Sequence, residues 1–304
     1  MPIFTMMVGV AGSGKSTIAS QIANSIGAKI VSSDAIRGEL YGDENCQANP
    51  EKVFGVVHNR IRTFLMEGED VIMDATNLSC KRRMSFLKNI AHIPNVKKHC
   101  VVVVATPEDI ERRMRWRERK VPTEVVHRQM CQFQCPNYYE GWDFIAIEWT
   151  SKIEDCLTSS QKLHQETFIP HDNPHHSLSV REHMVRAEEL VHANSKATSE
   201  DEWVARIHDL GKPRCKTFTD REGRPTEVAH YRNHQNYGAY YSLIFDGANF
   251  DASPREALDT ACLVQWHMEH YLREGPALNK FYEMIGPELA RRLHILEEAD
   301  KGAH

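Results

Sequence analysis

At 304 residues, with 41% hydrophobic and 26% charged side chains, the chain has room for about two globular domains, each able to bury its own core. Its formal net charge of −5 excludes a globally basic nucleic-acid binder, and no apolar run approaches the ~20 residues of a membrane span. The charge is uneven: residues 1–150 carry a net +2 and 4 of the 17 histidines, whereas residues 151–304 carry a net −7 and the other 13, an acidic, histidine-rich half that suits bound cations.

In chain order, "IFTMMVGV" reads as a strand running into a Gly-rich turn. Its start lacks the basic region of a signal peptide. Ile18, Ala19, Ile22, Ala23 and Ile26 then keep helical spacing. "AKIVSSD", "EDVIMDATN" and "KHCVVVVATP" are further strands, and "FIAIEW" at 144–149 is a fifth. Their near-continuous β-branched runs fit strands buried on both faces of a parallel sheet. Helical stretches near 51–67, 81–91, 108–119 and 122–134 alternate with them, which predicts a doubly wound α/β domain over 1–150. Residues 151–170 are polar without a clear core stripe and read as a linker. Beyond them strand signals vanish, and helices are expected at 177–194, 200–210, 230–245, 254–273, 276–283 and 286–300, so residues 171–304 form an all-α domain.

The eight cysteines, Cys46, Cys80, Cys100, Cys131, Cys135, Cys156, Cys215 and Cys262, form no CxxC pair and no framework. They read as reduced thiols in a cytoplasmic protein. Cys131 and Cys135 stand i,i+4 on an expected helix, where buried or incidental thiols outweigh a metal reading.

Two motifs carry chemistry. Gly9-Val-Ala-Gly12-Ser13-Gly14-Lys15-Ser16-Thr17 fits G-x-x-x-x-G-K-[ST] at every fixed position. Such glycines let backbone N–H groups face a phosphate, Lys15 supplies charge to the β/γ-phosphates and Ser16 a hydroxyl to Mg²⁺, so ATP or another NTP with Mg²⁺ is the expected ligand. At the carboxyl ends of the next strands stand Asp34, with Arg37 three residues on, and Asp74. A kinase acting on a hydroxyl needs a carboxylate to take or orient the proton; the alternative for either Asp is a helix N-cap. "ERRMRWRERKVP", with Arg115 and Arg119, is either a solvated face with counter-charges at Glu111 and Glu118 or a lid closing over the triphosphate.

The second motif is His208-Asp209-Leu-Gly-Lys212, accompanied by His183, His234, His267 and Asp300 on expected helices. Imidazoles and carboxylates on separate helices can converge on divalent cations in a bundle core, and two such cations supply a nucleophile from water near neutral pH. His230 and His270 are expected to share helix faces with His234 and His267 and to contact substrate or support the ligands; His175, His176 and His192 are weaker candidates.

The first half resembles the P-loop kinases that phosphorylate polynucleotide 5′-hydroxyls, on Gly9–Thr17, Asp34 with Arg37, Asp74–Leu78 with Arg82 and Arg83, and the arginine-rich stretch ending in Val121-Pro122. The resemblance implies Lys15 and Asp34 as catalytic, Asp34 as general base, and Gly12 to Thr17 with Arg115 and Arg119 on the nucleotide. It implies Arg37 as clamp on the acceptor's phosphate, with Asp74, Asn77 and Arg82 also on the substrate. The second half resembles the HD phosphohydrolase superfamily, in the order H…HD…H…H…D. This implies a first metal on His183, His208, Asp209 and Asp300, a second on His234, His267 and Asp209, and Lys212 neutralising phosphate, the metals being drawn from Mn, Ni, Co, Zn or Mg. Together the halves resemble bifunctional RNA end-healing enzymes acting on 5′-OH and 2′,3′-cyclic or 2′/3′-phosphate ends, with RNA or other polynucleotide ends as substrate and a separate RNA ligase as partner. Two other readings stay open: a small-molecule or nucleoside kinase fused to an HD nucleotidase, and an ATP-dependent regulator that senses a nucleotide.

Overall fold

The structure, a computed structural model, describes residues 1–116, 120–174, 177–248 and 253–303. The chain divides into two compact units, Met1–Gln129 with Pro136–Lys152, and Met130–Cys135 with Ile153–His304. No helix among the described residues is long and apolar enough to cross a membrane.

In the first unit, β1 (Ile3–Val8), β2 (Lys29–Ser32), β3 (Val71–Asp74), β4 (Lys97–Val104) and β5 (Phe144–Trp149) form one parallel sheet, ordered β2-β3-β1-β4-β5. The helices are α1 (Lys15–Ile26), α2 (Ser33–Tyr41), α3 (Pro50–Met66), α4 (Cys80–Ile90), α5 (Pro107–Trp116) and α6 (Thr123–Met130). β3 is buried at all four positions and β1 at five of six, as the unbroken apolar runs require. Ala19 and Ala23 of α1 lie in one buried cluster with Met7, Ile72, Val101 and Val103. The order matters for the site. With β1 central, the Gly-rich turn that follows it opens between the carboxyl ends of β3 and β4.

The second unit holds α7 (Ile153–Glu166), α8 (Val180–His192), α9 (Ser199–Ile207), α10 (Lys212–Cys215), α11 (His234–Asp246), α12 (Pro254–Trp266), α13 (Glu269–Leu272), α14 (Pro276–Ile285) and α15 (Pro287–Gly302). Three of them start at sequence-legible capping boxes, Ser179 with Glu182, Thr198 with Asp201 and Ser253 with Glu256.

Three expectations need correction here. Residues 151–170 are no linker: α7 belongs to the second unit and buries Cys156, Ser159, Ser160 and Leu163. That stripe has helical spacing, but small residues supply most of it, so its hydrophobic signal is weak. The second unit is also not all-α. β6 (Thr217–Thr219) and β7 (Pro225–His230) form an antiparallel hairpin. Both strands are short and largely exposed and lack apolar alternation. Finally, α6 ends at Met130, so Cys131 and Cys135 share no helix; Cys131 lies against the Cys215 thiol at 3.6 Å, and all eight cysteines are thiols outside any disulfide.

One buried pair stabilises the β3–α4 connection. Arg83 donates to Glu140 from Nε at 2.7 Å and Nη2 at 2.6 Å, and from Nη1 to the Asn77 and Leu78 carbonyls at 3.0 Å each. Both side chains are fully buried. Burial opposes the guanidinium charge, but Glu140 outweighs it and holds Arg83 well above its ordinary pKa. Arg83→Met is therefore expected to cost about 3–5 kcal/mol by stranding Glu140, and Arg83→Met with Glu140→Leu to recover more than half of that. Urea midpoints of the two variants check this; an equally destabilised double variant would refute it.

Candidate nucleotide cradle and metal centre

Gly12 and Gly14 adopt φ of 82° and 101°, in the left-handed region that glycine alone enters without strain. A Cβ on Gly12 would also lie 2.6 Å from the Met114 methyl. The loop is braced from several sides. Arg113 of α5 donates to the Ser13 carbonyl at 3.2 Å and to Thr150 Oγ1 at 2.9 Å, and Gln129 of α6 accepts from the Ala11 N–H at 2.7 Å. Thr150 Oγ1 donates to the Ser13 carbonyl at 2.7 Å. Lys15 is buried, and its ammonium donates to the Val10 carbonyl at 2.8 Å, across the curl of the loop. Ser16 Oγ donates to Asp74 Oδ2 at 2.8 Å. Thr17, next on α1, is exposed.

Asp74, expected on the substrate side, thus sits beside the hydroxyl suited to the nucleotide's Mg²⁺. A hydroxyl and a carboxylate oxygen in contact are hard ligands fit for that ion. The β2–β3 register sets Ser32 opposite Asp74. Ser32 caps α2, accepting from the Asp34 and Ala35 N–H groups at 3.3 and 3.4 Å, so Asp34 is not the cap. Its half-exposed carboxylate accepts from Arg37 Nη1 at 2.8 Å, one turn along α2. Asn77, expected on the substrate, stands at φ 49° and donates its amide to the Met7 carbonyl at 2.8 Å, tying the β3 loop to β1. Arg82 is exposed, while its neighbour Arg83 is the buried one. Arg115 is exposed and pairs with Glu111 at 3.2 Å; Arg119 lies outside the described residues.

In the second unit the structure brings His183, His208, Asp209 and Asp300 into one buried group and Asp209, His234 and His267 into another, with ligand atoms in each within 4.8 Å of one another. They come from α8, the end of α9, the start of α11, the end of α12 and the last turn of α15. Each imidazole is oriented in the same way. Nδ1–H donates to a backbone carbonyl: His183 to Ala303 at 2.8 Å, His208 to Ala205 at 2.7 Å, His234 to Tyr231 at 2.7 Å, His267 to Val264 at 2.6 Å. All four Nε2 atoms are left pointing inward. His183 Nε2 lies 2.9 Å from Asp300 Oδ1 and 3.4 Å from Asp209 Oδ2; His234 and His267 lie 3.2 and 3.6 Å from Asp209 Oδ1. Lone pairs and carboxylate oxygens at such separations repel unless a cation or proton lies between them. Among the described residues Asp209 Oδ1 has no hydrogen-bond donor. Buried imidazole and carboxylate, with Asp209 reaching both groups, fit two divalent cations. The field is strong: although burial opposes its charge, Asp209 and Asp300 push the His208 imidazole up to about 10.

Gly211 explains why Asp209 reaches His234. A Cβ there would lie 2.0 Å from the His234 carbonyl oxygen and 2.8 Å from the Gly238 N–H nitrogen. Only glycine lets the turn after Asp209 close on α11.

Lys212 is also buried. Its ammonium lies 2.6 Å from Asp209 Oδ2, 3.1 Å from His171 Nε2 and 5.6 Å from the Tyr231 ring centroid. It is Asp209's counter-ion rather than a cation projecting toward solvent. His171, which sequence reasoning missed, donates Nδ1–H to the Leu178 carbonyl at 2.7 Å and is held down to about 4, first by burial and then by Lys212. It lies in a loop outside any helical face, so periodicity could not flag it. His230 ends β7 instead of joining α11, because the hairpin and Asn233 at φ 61° intervene. His270 follows the break in the expected 254–273 helix and faces the buried Glu297 at 3.6 Å. His192 is exposed and pairs with Glu202 at 2.9 Å, and His175 and His176 lie outside the described residues.

Residues 4–136 match the family model described as an AAA domain. Together with the Gly-rich loop and the parallel sheet, this gives the first unit a P-loop α/β fold of the kinase type. Among solved structures, the chain is similar to a candidate kinase from Chloroflexus aurantiacus at 14% identity, TM-score 0.41, over 54% of this chain and 97% of that one. It is similar to a gluconokinase from Sinorhizobium meliloti at 17%, TM-score 0.37, over 52% and 89%. A chain of the Pnkp1/Rnl/Hen1 RNA repair complex is similar at 24%, TM-score 0.37, over 43% of each chain. No curated protein matches the chain.

The two ligand groups share only Asp209, which predicts separable metals. The double variant His234→Ala, His267→Ala should lose one equivalent of bound Mn²⁺ or Co²⁺ and retain the other, whereas Asp209→Ala should weaken both by about 10-fold or more. Metal content of dialysed protein reads this directly; full retention of metal in both variants would overturn the assignment. Binding should weaken as pH falls, because protons compete for Nε2.

Proposed function

We propose that the chain heals RNA ends, phosphorylating a 5′-hydroxyl from ATP in the first unit and hydrolysing a 2′,3′-cyclic or 2′/3′-phosphate in the second. The observation that carries this reading is the joining in one chain of a phosphate cradle, flanked by a carboxylate–guanidinium pair, to a buried cluster of six ligands for two cations.

In the first unit, Lys15 would turn from the Val10 carbonyl to the β/γ-phosphates, and Ser16 with Asp74 would hold Mg²⁺. Asp34 would hold and accept the proton of the attacking hydroxyl. Arg37, already on the same face, would bind a phosphate of the acceptor, a contact that favours a nucleotide end over an uncharged alcohol. Arg115, at the exposed end of α5, would close over the donor. In the second unit, His183, His208, Asp209 and Asp300 would hold one divalent cation and His234, His267 and Asp209 the other. Bound there, the cations supply a nucleophile from water and neutralise the phosphate. Lys212 keeps Asp209 ionised and oriented. The product, an end pair of 3′-hydroxyl and 5′-phosphate, is what an ATP-dependent RNA ligase consumes.

The test uses an RNA carrying 5′-OH and 2′,3′-cyclic phosphate ends, with a mononucleotide and a no-acceptor control. Asp34→Ala should lower 5′-phosphorylation by roughly 10²–10⁴-fold while keeping ATP affinity and cyclic-phosphate hydrolysis. Asp209→Ala should abolish hydrolysis and spare phosphorylation. Loss of both activities in either variant, with the fold intact by circular dichroism, would refute two independent sites. Equal phosphorylation of mononucleotide and RNA would move the assignment to a small-molecule kinase.

A further inference from the structure

α11 runs from His234, in the metal centre, to Asp246, so the helix ends lie about 18 Å apart at 1.5 Å per residue. α9 and α12 likewise reach the centre with their C-terminal ends. At the other end of these three helices, lined on one side by α7, lies an open cavity of about 700 Å³. No ligand of the metal centre lines it.

Its chemistry is unlike that of the metal centre. Trp203 and Phe245 form a fixed edge-to-face pair with ring centroids 5.6 Å apart, and Leu157 and Ala257 extend the apolar wall. Into this wall are set two buried polar groups that, among the described residues, have no hydrogen-bond partner, Asp246 Oδ2 and Ser160 Oγ. Asp246 is 8% exposed and Ser160 3%. A buried carboxylate oxygen without a donor is costly, and native proteins rarely leave one so. Burial, and then the nearby Glu256, push the Asp246 carboxyl up to about 7, because no cation offsets it. Glu200 and Glu256 also line the space; among the described residues no lysine or arginine does, and burial lowers the pKa of the one imidazole there, His164. That balance of charge disfavours phosphates and nucleotides. It favours a ligand that brings both positive charge and N–H donors.

We propose that this cavity is a second binding site, selective for a small organic cation whose ammonium or amidinium head donates to Asp246 and Ser160 while its flat or aliphatic body lies against Trp203 and Phe245. The head satisfies both orphan acceptors, the carboxylate gains its counter-charge, and the aromatic pair contributes apolar burial and cation–π attraction.

Benzamidine, benzamide and benzoate have nearly the same shape and differ in charge, so they are the probes. Calorimetric titration of the metal-loaded full chain should show benzamidine binding about tenfold or more tighter than either isostere, a margin of ~1.4 kcal/mol. Asp246→Asn should remove that margin, Trp203→Ala should weaken benzamidine, and Asp209→Ala should leave it unchanged. Benzamidine bound no better than benzoate by the unaltered chain would overturn the proposal without reference to any variant. So would undiminished benzamidine binding in Asp246→Asn. Displacement of benzamidine by Mn²⁺ in Asp209→Ala would assign the cavity to inorganic cations and sink the organic-cation reading.

Discussion

Four imidazoles that each tie up Nδ1–H on a backbone carbonyl have only Nε2 to turn toward the carboxylates they surround, and without a cation or proton there lone pair faces carboxylate oxygen. That arrangement is unfavourable by itself, and the second unit is built to impose it. Each histidine is held at or near a helix end, where its own turn or a neighbouring chain end supplies the carbonyl that fixes the tautomer. Lys212 is the nearest cation to Asp209, 2.6 Å from Oδ2, and the His208 imidazole stands 3.4 Å from the same oxygen. Against burial, Lys212 and then His208 hold Asp209 far below the usual carboxylate range, so it stays a charged ligand at every physiological pH. His171 completes the device by remaining neutral: its Nε2 accepts from Lys212 without adding a competing charge.

The first unit solves a different problem, keeping backbone free for a ligand. A loop that curls through positive φ forms few internal hydrogen bonds, so its rigidity must come from outside. Arg113, Thr150 and Gln129 provide it from α5, the end of β5 and α6. Arg113 belongs to the run of arginines that composition alone suggests as a solvated face or a lid. The structure divides that run by function: Arg113 braces the loop, while Arg115 is exposed at the helix end. An arginine's role here follows from helical phase, not from its membership of a basic stretch.

The same distinction explains what was legible in the sequence. The sheet, the Gly-rich loop and the clustering of six histidines and aspartates were readable because each rests on residue types with narrow uses at set spacing: β-branched runs, G-x-x-x-x-G-K-[ST], and histidines and aspartates near helix ends. Asp34 and Arg37 were readable as an i,i+3 pair. What escaped depends on tertiary neighbours. Glu140 is an ordinary acidic residue until it meets Arg83, 57 positions away. Asn77 resembles a substrate ligand until its amide is seen to hold the Met7 carbonyl. α7 hid because serine and cysteine fill its buried stripe, and the β6–β7 hairpin because its strands lie on the surface. Gly211 stood in plain view beside the His-Asp pair, but its reason is a carbonyl on another helix.

Two aspartates at opposite ends of the same helices show how little burial alone determines. Asp209 is 1% exposed and Asp246 8%, so desolvation opposes the charge of each. Yet Asp209 is held far down, and Asp246 is pushed up to about 7. The difference is first Lys212, which follows Asp209 by three residues and finds it across one turn, and then His208; among the described residues no lysine or arginine lines the space around Asp246. A carboxylate with a resident counter-ion is prepared to hold further cations at once. One without a counter-ion becomes fully charged only when a ligand brings the opposite charge. The helical unit therefore pairs an ionised centre with a conditional one, and Lys212, with His208 behind it, makes the difference.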